Sequence, residues 1–445
     1  MNVLYLYNAT QTYTATVFEH LASFQKYSRH RSFFVHQDQY ADLNIDYSLF
    51  DVVVVHYTIR LPFNQISQKN ANALSQFRGL KVLFIQDEYD HPTCTWDWIK
   101  RLGISLVFTV VPSDGVATVY PPRDFPGIRF VSVLTGFVPD DLRTHTQIPP
   151  SERSLIVGYR GRPLPVRYGE LGQEKVRIAK LVKEYCLDRE IPHDVAWTEE
   201  ARIYGPKWYE FMSSCRAMLG SESGSNVFDW DGSLIKMIKD YKIKNHDTTD
   251  DEIYENLIKP LEIPNLMNQA SPRIFEAIAA RTVLVLFEGN YSGVVKPGIH
   301  FIPLKKDGSN LNEVFGLLAN GDYVDAMSER AWRDVIASNK YSYRSFVNLV
   351  DTEMERSLTE LRSHSDNLSR IVADTNKSDH PTPVTTCPIR AKPPQPSTDT
   401  IIHTVVGSHG LKDFFRRFAI YMWWKLPESV RLTLKPRLKR FIGRG

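Results

Sequence analysis

The sequence predicts an α/β protein of two successive domains, each a mostly parallel β-sheet covered by helices. Three observations carry this. Short runs of Val, Ile, Leu and Phe recur without polar alternation, the pattern of strands buried on both faces. Helix-length stretches fall between them, as in layered α/β domains. The series then stops at a Pro-Pro pair and starts again. A length of 445 residues suits two or three domains of about 150 residues each. With 42% hydrophobic and 24% charged residues, the chain can bury a core, which excludes a wholly disordered or collagen-like protein.

In chain order, residues 3–7 read as a strand and 15–27 as a helix. Strands follow at 32–35, 51–56, 81–86, 106–111 and 129–133, with a helix at 65–77. The stretch 139–152, polar and carrying Pro149-Pro150, reads as the connection out of a first domain spanning 1–145. The second domain, 153–375, begins with a strand at 154–158 and a charged amphipathic helix at 173–189. Strands at 217–220, 283–287 and 300–303 follow, with helices at 272–280, 311–318, 323–338 and 343–373. Residues 376–406 hold six prolines and few apolar side chains, the composition of a flexible, partly polyproline linker. A tail at 407–445 closes the chain.

Charge divides the same way. The net charge is +3, but from Gly407 to Gly445 ten Lys/Arg stand against two acids. The body is therefore mildly acidic and the tail carries +8. Such a balance argues against a protein that coats a polyanion over its whole surface. Four scattered cysteines (Cys94, Cys186, Cys215, Cys387), without a CxxC pair or zinc spacing, suit a reducing compartment. The N-terminal run MNVLYLYNAT lacks a basic region and a cleavage site, and no run of about 18 apolar residues exists.

The stretch 265–298, NLMNQASPRIFEAIAARTVLVLFEGNYSGVVKPG, carries the most chemistry. Ser271 is a suitable N-cap and Pro272 suits the first helical turn. Arg273 in that turn sits at the positive end of the helix dipole, which disfavours a cation. An anion at the helix start would reverse the sign, using the free N–H groups and the guanidinium together; a diphosphate fits. The alternative is an Arg273 that points into solvent. Glu276 lies among Ile274, Phe275, Ala277 and Ile278, so it is either edge-exposed or held by a specific partner such as two ribose hydroxyls. Glu288 and Gly289 follow the strand at 283–287, where open α/β sheets bind ligands. Two more loops sit at strand ends. Arg160-Gly161-Arg162 reads as an anion-facing loop or a plain surface turn. Gly220-Ser221-Glu222-Ser223-Gly224-Ser225-Asn226 reads as a donor-holding loop, with Ser223 singled out, or an ordinary polar loop. The run Phe228-Asp229-Trp230-Asp231 reads as a sugar platform or a turn.

The segment SPRIFEAIAARTVLVLFEG resembles the donor-binding segment of GT-B glycosyltransferases, in the branch of spore-coat maturation-type and bacterial surface-polysaccharide enzymes. The resemblance implies two Rossmann-like domains facing across a cleft, the second holding a nucleotide sugar and the first the acceptor. By position, Glu276 matches the second Glu of the E-x7-E element, which implies ribose binding. Asn268 stands where the first Glu is usual, and Arg281 where Gly is usual. Gln269, Ala270 and Ser271 correspond to the loop whose N–H groups face the pyrophosphate. Arg160, Arg162 and Lys175 are the implied phosphate contacts. The resemblance implies no cofactor beyond the nucleotide-diphosphate sugar and no bound metal.

In the first domain, Asp87, Glu88 and His91 follow the strand at 81–86 and are the candidates for deprotonating an acceptor hydroxyl. His56, at another strand end, reads as a cleft residue or a structural one. The tail places Leu411, Phe414, Phe415, Phe418 and Met422 at helical spacing against Lys412, Arg416 and Arg417, with Trp423 and Trp424 beyond. A basic amphipathic pair of this kind suits an anionic membrane surface; packing on the body or a partner is the alternative, and nucleic acid fits poorly.

These readings together expect a metal-independent transferase moving a sugar to a lipid-linked or surface-glycan acceptor. It would be cytoplasmic, held peripherally at the inner face of the plasma membrane, in the making of lipopolysaccharide or another cell-envelope glycan. A nucleotide-sugar epimerase and a non-catalytic scaffold of the same fold are the alternatives.

Overall fold

The computed structural model describes residues 1–8, 10, 15–40, 42–140 and 148–375. The expected linker at 376–406 and basic tail at 407–445 lie outside them.

The first domain runs β1 (Asn2–Tyr7), α1 (Ala15–Tyr27), β2 (Arg31–His36), β3 (Val52–Val55), α2 (Gln68–Gln76), β4 (Leu80–Ile85), α3 (Pro92–Leu102), β5 (Leu106–Thr109), α4 (Val116–Val119) and β6 (Arg129–Ser132). Its six strands are all parallel, in the order β2-β1-β3-β4-β5-β6. Val52–Val55 is buried at every position, as expected of a strand covered on both faces. The second domain runs β7 (Leu155–Arg160), α5 (Gly169–Asp188), β8 (His193–Ala196), α6 (Pro206–Ser214), β9 (Cys215–Gly220), α7 (Ser233–Lys244), α8 (Asp250–Ile253), α9 (Pro272–Ala279), β10 (Val283–Phe287), β11 (Phe301–Leu304), α10 (Leu311–Ala319), α11 (Gly321–Ala331) and α12 (Tyr343–Thr375). Its sheet is also parallel, ordered β11-β10-β9-β7-β8. The α/β class with two Rossmann-like sheets is thus what the structure has.

Several elements escaped the sequence reading. Helix α3 begins on Pro92, whose missing N–H costs nothing there, and ends at Gly103 with φ of 68°, whose N–H reaches back to Ile99 and Lys100. Strand β8 is a four-residue edge strand, HDVA, too short and polar to signal itself. Helix α5 starts four residues earlier than expected, because Glu262 accepts the N–H of Glu170 at 2.5 Å and so satisfies one orphan donor of its first turn.

The range 153–375 needs a correction at its end. Helix α12 packs on the first sheet: Phe346, Val347, Val350, Met354 and Leu358 share a buried cluster with Val3, Tyr5, Val54, Phe84 and Phe108. Its amphipathic stripe has no comparable partner in the second sheet. Arg29 ties it down further, donating to Glu355 from Nε at 2.7 Å and from Nη2 at 2.8 Å.

The loops leaving the carboxyl ends of the two sheets meet each other. Beyond β4, Asp90 bridges to Asp229, and the N–H of His91 donates to Asp229 at 2.9 Å. Beyond β5, the carbonyl of Val110 accepts from Gln269 Nε2. Beyond β6, Thr135 Oγ1 donates to Ala270 at 2.6 Å. Phe228, Leu266 and Met267, from the long segment between β9 and α9, complete the core of the first domain. The two sheets therefore present their carboxyl ends to one cleft.

Candidate functional site

In each sheet the strand order reverses once, between β1 and β3 and between β7 and β9. Loops diverge at such a point and leave a crevice. In the second domain the diverging loops are 161–165 after β7 and 221–226 after β9. They carry Arg162 and Ser223.

Lys175 projects from α5 toward Ser223, whose Oγ it meets at 3.2 Å. Burial pushes its pKa down to about 8, and the neighbouring Arg273 and Arg162 push it the same way. Three cations thus converge on one place. The ion pairs of this region belong to other residues: Arg160 with Asp194, Arg167 with Asp90, Arg177 with Glu170 and Lys306 with Glu174. Arg162, Lys175 and Arg273 are in none of them. Arg273 lies between two aromatic faces, 5.3 Å from the Tyr159 ring centroid and 5.4 Å from that of Trp208. Rings stabilise a guanidinium without spending its N–H donors on a carboxylate. Gathering unpaired like charges costs free energy, and an anion removes that cost.

Ser271 takes the extended backbone of an N-cap, but its hydroxyl makes no capping bond. Glu276, one turn on, accepts from Trp208 Nε1 at 2.8 Å, and burial holds its carboxyl above the usual range. Trp208 comes from α6, an element the sequence reading lacked. Glu288 is exposed, and Gly289 sits where a Cβ would lie 2.6 Å from Glu222 Oε2.

Arg160 is corrected. It is turned away from the cations: Nη2 meets Asp194 at 2.6 Å, Nη1 donates to the carbonyls of Tyr159 and Asp194, and the guanidinium covers the Phe211 ring at 4.3 Å. With both terminal nitrogens held by Tyr159 and Asp194, it is a structural cation. Asn268 is likewise occupied, giving an N–H to Glu222 at 2.6 Å and accepting from Asn226 at 2.7 Å.

The first-domain candidates separate. Glu88 is corrected: it is buried under the sheet end, where Oε1 accepts from Thr109 and from the Val110 N–H, and Oε2 has no partner. Burial pushes it up to about 7. Such a carboxyl faces the core, away from any acceptor. His91 caps α3 at the domain junction, its Nε2 4.0 Å from Asp229 and its ring tilted against Phe63. Its backbone N–H is spent on Asp229, which fixes it in the junction. Asp87 is exposed, takes a left-handed backbone with φ of 60°, and accepts from Tyr89 OH at 2.6 Å. Its charge is felt by Lys175, which places it at the same cleft. His56 is the structural one: buried, it meets His20 at 3.0 Å and Thr58 at 2.9 Å, and burial drives its pKa well down.

Beside Arg162 a hollow of about 600 Å³ is lined by Pro163, Leu164, Pro165, Tyr168, Trp197 and Glu199. Among the described residues no group of three or more His, Cys, Asp or Glu is arranged to hold a metal ion. No helix among them is long and apolar enough to cross a membrane.

No family model matches the chain, and no curated protein does. Among solved structures, the chain is similar to Anabaena Alr3699/HepE in complex with UDP-glucose, at 12% identity and a TM-score of 0.46, over 80% of this chain and 100% of that one. It is similar to an α-glucosyltransferase in complex with UDP-glucose and DNA containing an abasic site, at 11% identity and a TM-score of 0.44, over 80% and 99% of the two chains. It is also similar to a sucrose-phosphate synthase from Thermosynechococcus elongatus, at 10% identity and a TM-score of 0.42, over 81% and 99%.

Proposed function

We propose that the protein is a glycosyltransferase that uses a nucleotide-diphosphate sugar. The observation that carries this is the set of three cations, Arg162, Lys175 and Arg273, gathered at the switch point of a parallel sheet and in no ion pair among the described residues. A diphosphate has the charge and the span to engage all three. The base lies in the adjoining hollow, against Trp197 and Tyr168. Glu276, with one oxygen held by Trp208, takes the ribose with the other. Asp87 is the base on the opposite wall. An acceptor hydroxyl attacks the anomeric carbon, its proton passes to Asp87, and the bond to the diphosphate oxygen breaks. Charge grows on that diphosphate, and the three cations stabilise it more in the transition state than in the ground state. No metal ion enters this scheme.

The acceptor is a lipid-linked or surface glycan of a bacterial cell envelope, and the tail at 407–445 holds the enzyme to the cytoplasmic face of the membrane. The basis is the tail's sequence: +8 over 39 residues, with Leu, Phe and Met at helical spacing and a Trp pair beyond.

A panel of nucleotide sugars, with membrane extract as acceptor source, tests the main reading through diphosphate release. Turnover with one donor supports it. Epimerised donor without release points to an epimerase, and tight nucleotide binding without any turnover points to a scaffold. Flotation on anionic liposomes tests the tail: the full chain should float, and a chain ending at Thr375 should not. Equal flotation removes the anchor.

A further inference from the structure

Beside the cations lies a carboxylate with no assigned role. Glu222, at the end of β9, is 5% exposed. Its Oε1 accepts the backbone N–H groups of Asn290 at 3.1 Å and Tyr291 at 2.6 Å. Its Oε2 accepts from Asn268 Nδ2 at 2.6 Å. The next residue, Ser223, holds Lys175. Three elements of the site therefore meet on one side chain: the loop after β9, the loop after β10, and the strand-like segment before α9.

The direction of the hydrogen bonds is fixed from one end. The N–H of Met267 donates to Asn226 Oδ1 at 2.9 Å, so the amide of Asn226 must offer its N–H to Asn268 Oδ1. Asn268 must then offer its own N–H onward. Only an acceptor can receive it at position 222. A carboxylate does so and still accepts from Tyr291 and Asn290. The second loop needs this restraint, because Tyr291 and Ser292 both take left-handed backbone, with φ of 49° and 54°, a conformation that costs free energy in residues other than glycine. Gly289 leaves the room: a Cβ there would press on Glu222.

We infer that Glu222 is a positioning residue of the donor site, the carboxylate that excludes a second one at position 268 and sets Asn268 and the 289–292 loop for the sugar. The inference rests on the donor reading above. It also explains the Asn at 268. A Glu or Asp there would bring two carboxylates within hydrogen-bond distance, and one of them would have to stay protonated.

The test is a reciprocal swap in the full chain. Glu222→Gln turns a donor toward the Asn268 donor, and Asn268→Asp sets two carboxylates face to face. Each single variant should raise the KM for the donor sugar at least about tenfold, the scale of a lost charge-assisted hydrogen bond, with kcat changed less. The double variant restores one donor and one acceptor in the pair and should return the KM to within about threefold of wild type. Singles that lower the melting temperature while leaving the donor KM unmoved would reduce Glu222 to a framework residue and overturn the inference. So would a double variant no better than the worse single. If wild type turns over no donor, the function reading fails; nucleoside-diphosphate affinities of the four proteins then decide Glu222 on its own, by the same loss and recovery.

Discussion

The two walls of the cleft carry charge in opposite ways. On the first-domain wall the titratable groups are mostly spent: Glu88 on Thr109 and Val110, His56 on His20 and Thr58, and the His91 backbone on Asp229. On the second-domain wall Arg162, Lys175 and Arg273 take part in none of the ion pairs described above, and Lys175 has its pKa lowered by burial and then by the other two. A charge whose partners are already in place holds a fold together; charges gathered without partners await a ligand. Arg160 and Arg162, two residues apart, fall on either side of that line.

The largest effect should come from Asp87, the candidate base that stays exposed. Asp87→Asn should lower the transfer rate by about 10²–10⁴-fold, the range for losing a general base, while nucleotide affinity by calorimetry is unchanged. Loss of both together would mean that Asp87 belongs to the donor wall. Next, Arg273→Ala and Lys175→Ala should each weaken nucleoside-diphosphate binding about 10–100-fold, the worth of a hydrogen bond to a charged group. Arg160→Ala should lower the melting temperature and leave that affinity within about threefold. If Arg160 proves the more sensitive in binding, the division of the cations is wrong. Affinity should also fall as pH rises above about 8, where unliganded Lys175 loses its proton.

Trp208→Phe should weaken nucleotide binding about 3–10-fold, because Glu276 loses the donor that orients it. Glu88→Gln should have the smallest effect on function and a distinct one on stability. The folded carboxyl titrates near 7, above its ordinary 4.5, so the native state binds more protons between those values. Wild-type stability therefore contains a term that is present below about 4.5 and is lost as pH rises to about 7. Urea unfolding of the Gln variant should lack that decline. An identical pH dependence in both proteins would place Glu88 in a wetter site.

The sheets were legible because buried parallel strands are continuous apolar runs, and 52–55 is four valines. Helix α9 was legible from Ser271-Pro272. Elements whose partners lie far along the chain were not. Helix α6 supplies Trp208 to Glu276 across 68 residues, and nothing local marks that pairing. Arg160 and Arg162 look alike in a Gly/Arg loop, and only the neighbouring β8 carbonyl and carboxylate tell them apart. Glu222 lay inside a loop read for its Ser and Gly, although an acid among six Gly, Ser and Asn residues was itself a signal. Helix α12 has an evident apolar stripe, but a stripe does not name the sheet it covers.

That last helix has a consequence for how the protein is made. The first sheet is complete by residue 132, yet the lid over Val3, Tyr5, Phe84 and Phe108 is synthesised more than 200 residues later. On the ribosome this face has Phe24 of α1 against Tyr5 and Phe84, but lacks the α12 lid, while the whole second domain emerges. At about 5–20 residues per second, such a delay lasts on the order of ten seconds or more, long enough for chaperone capture or self-association. The first domain is thus translated before the second and sealed only after it.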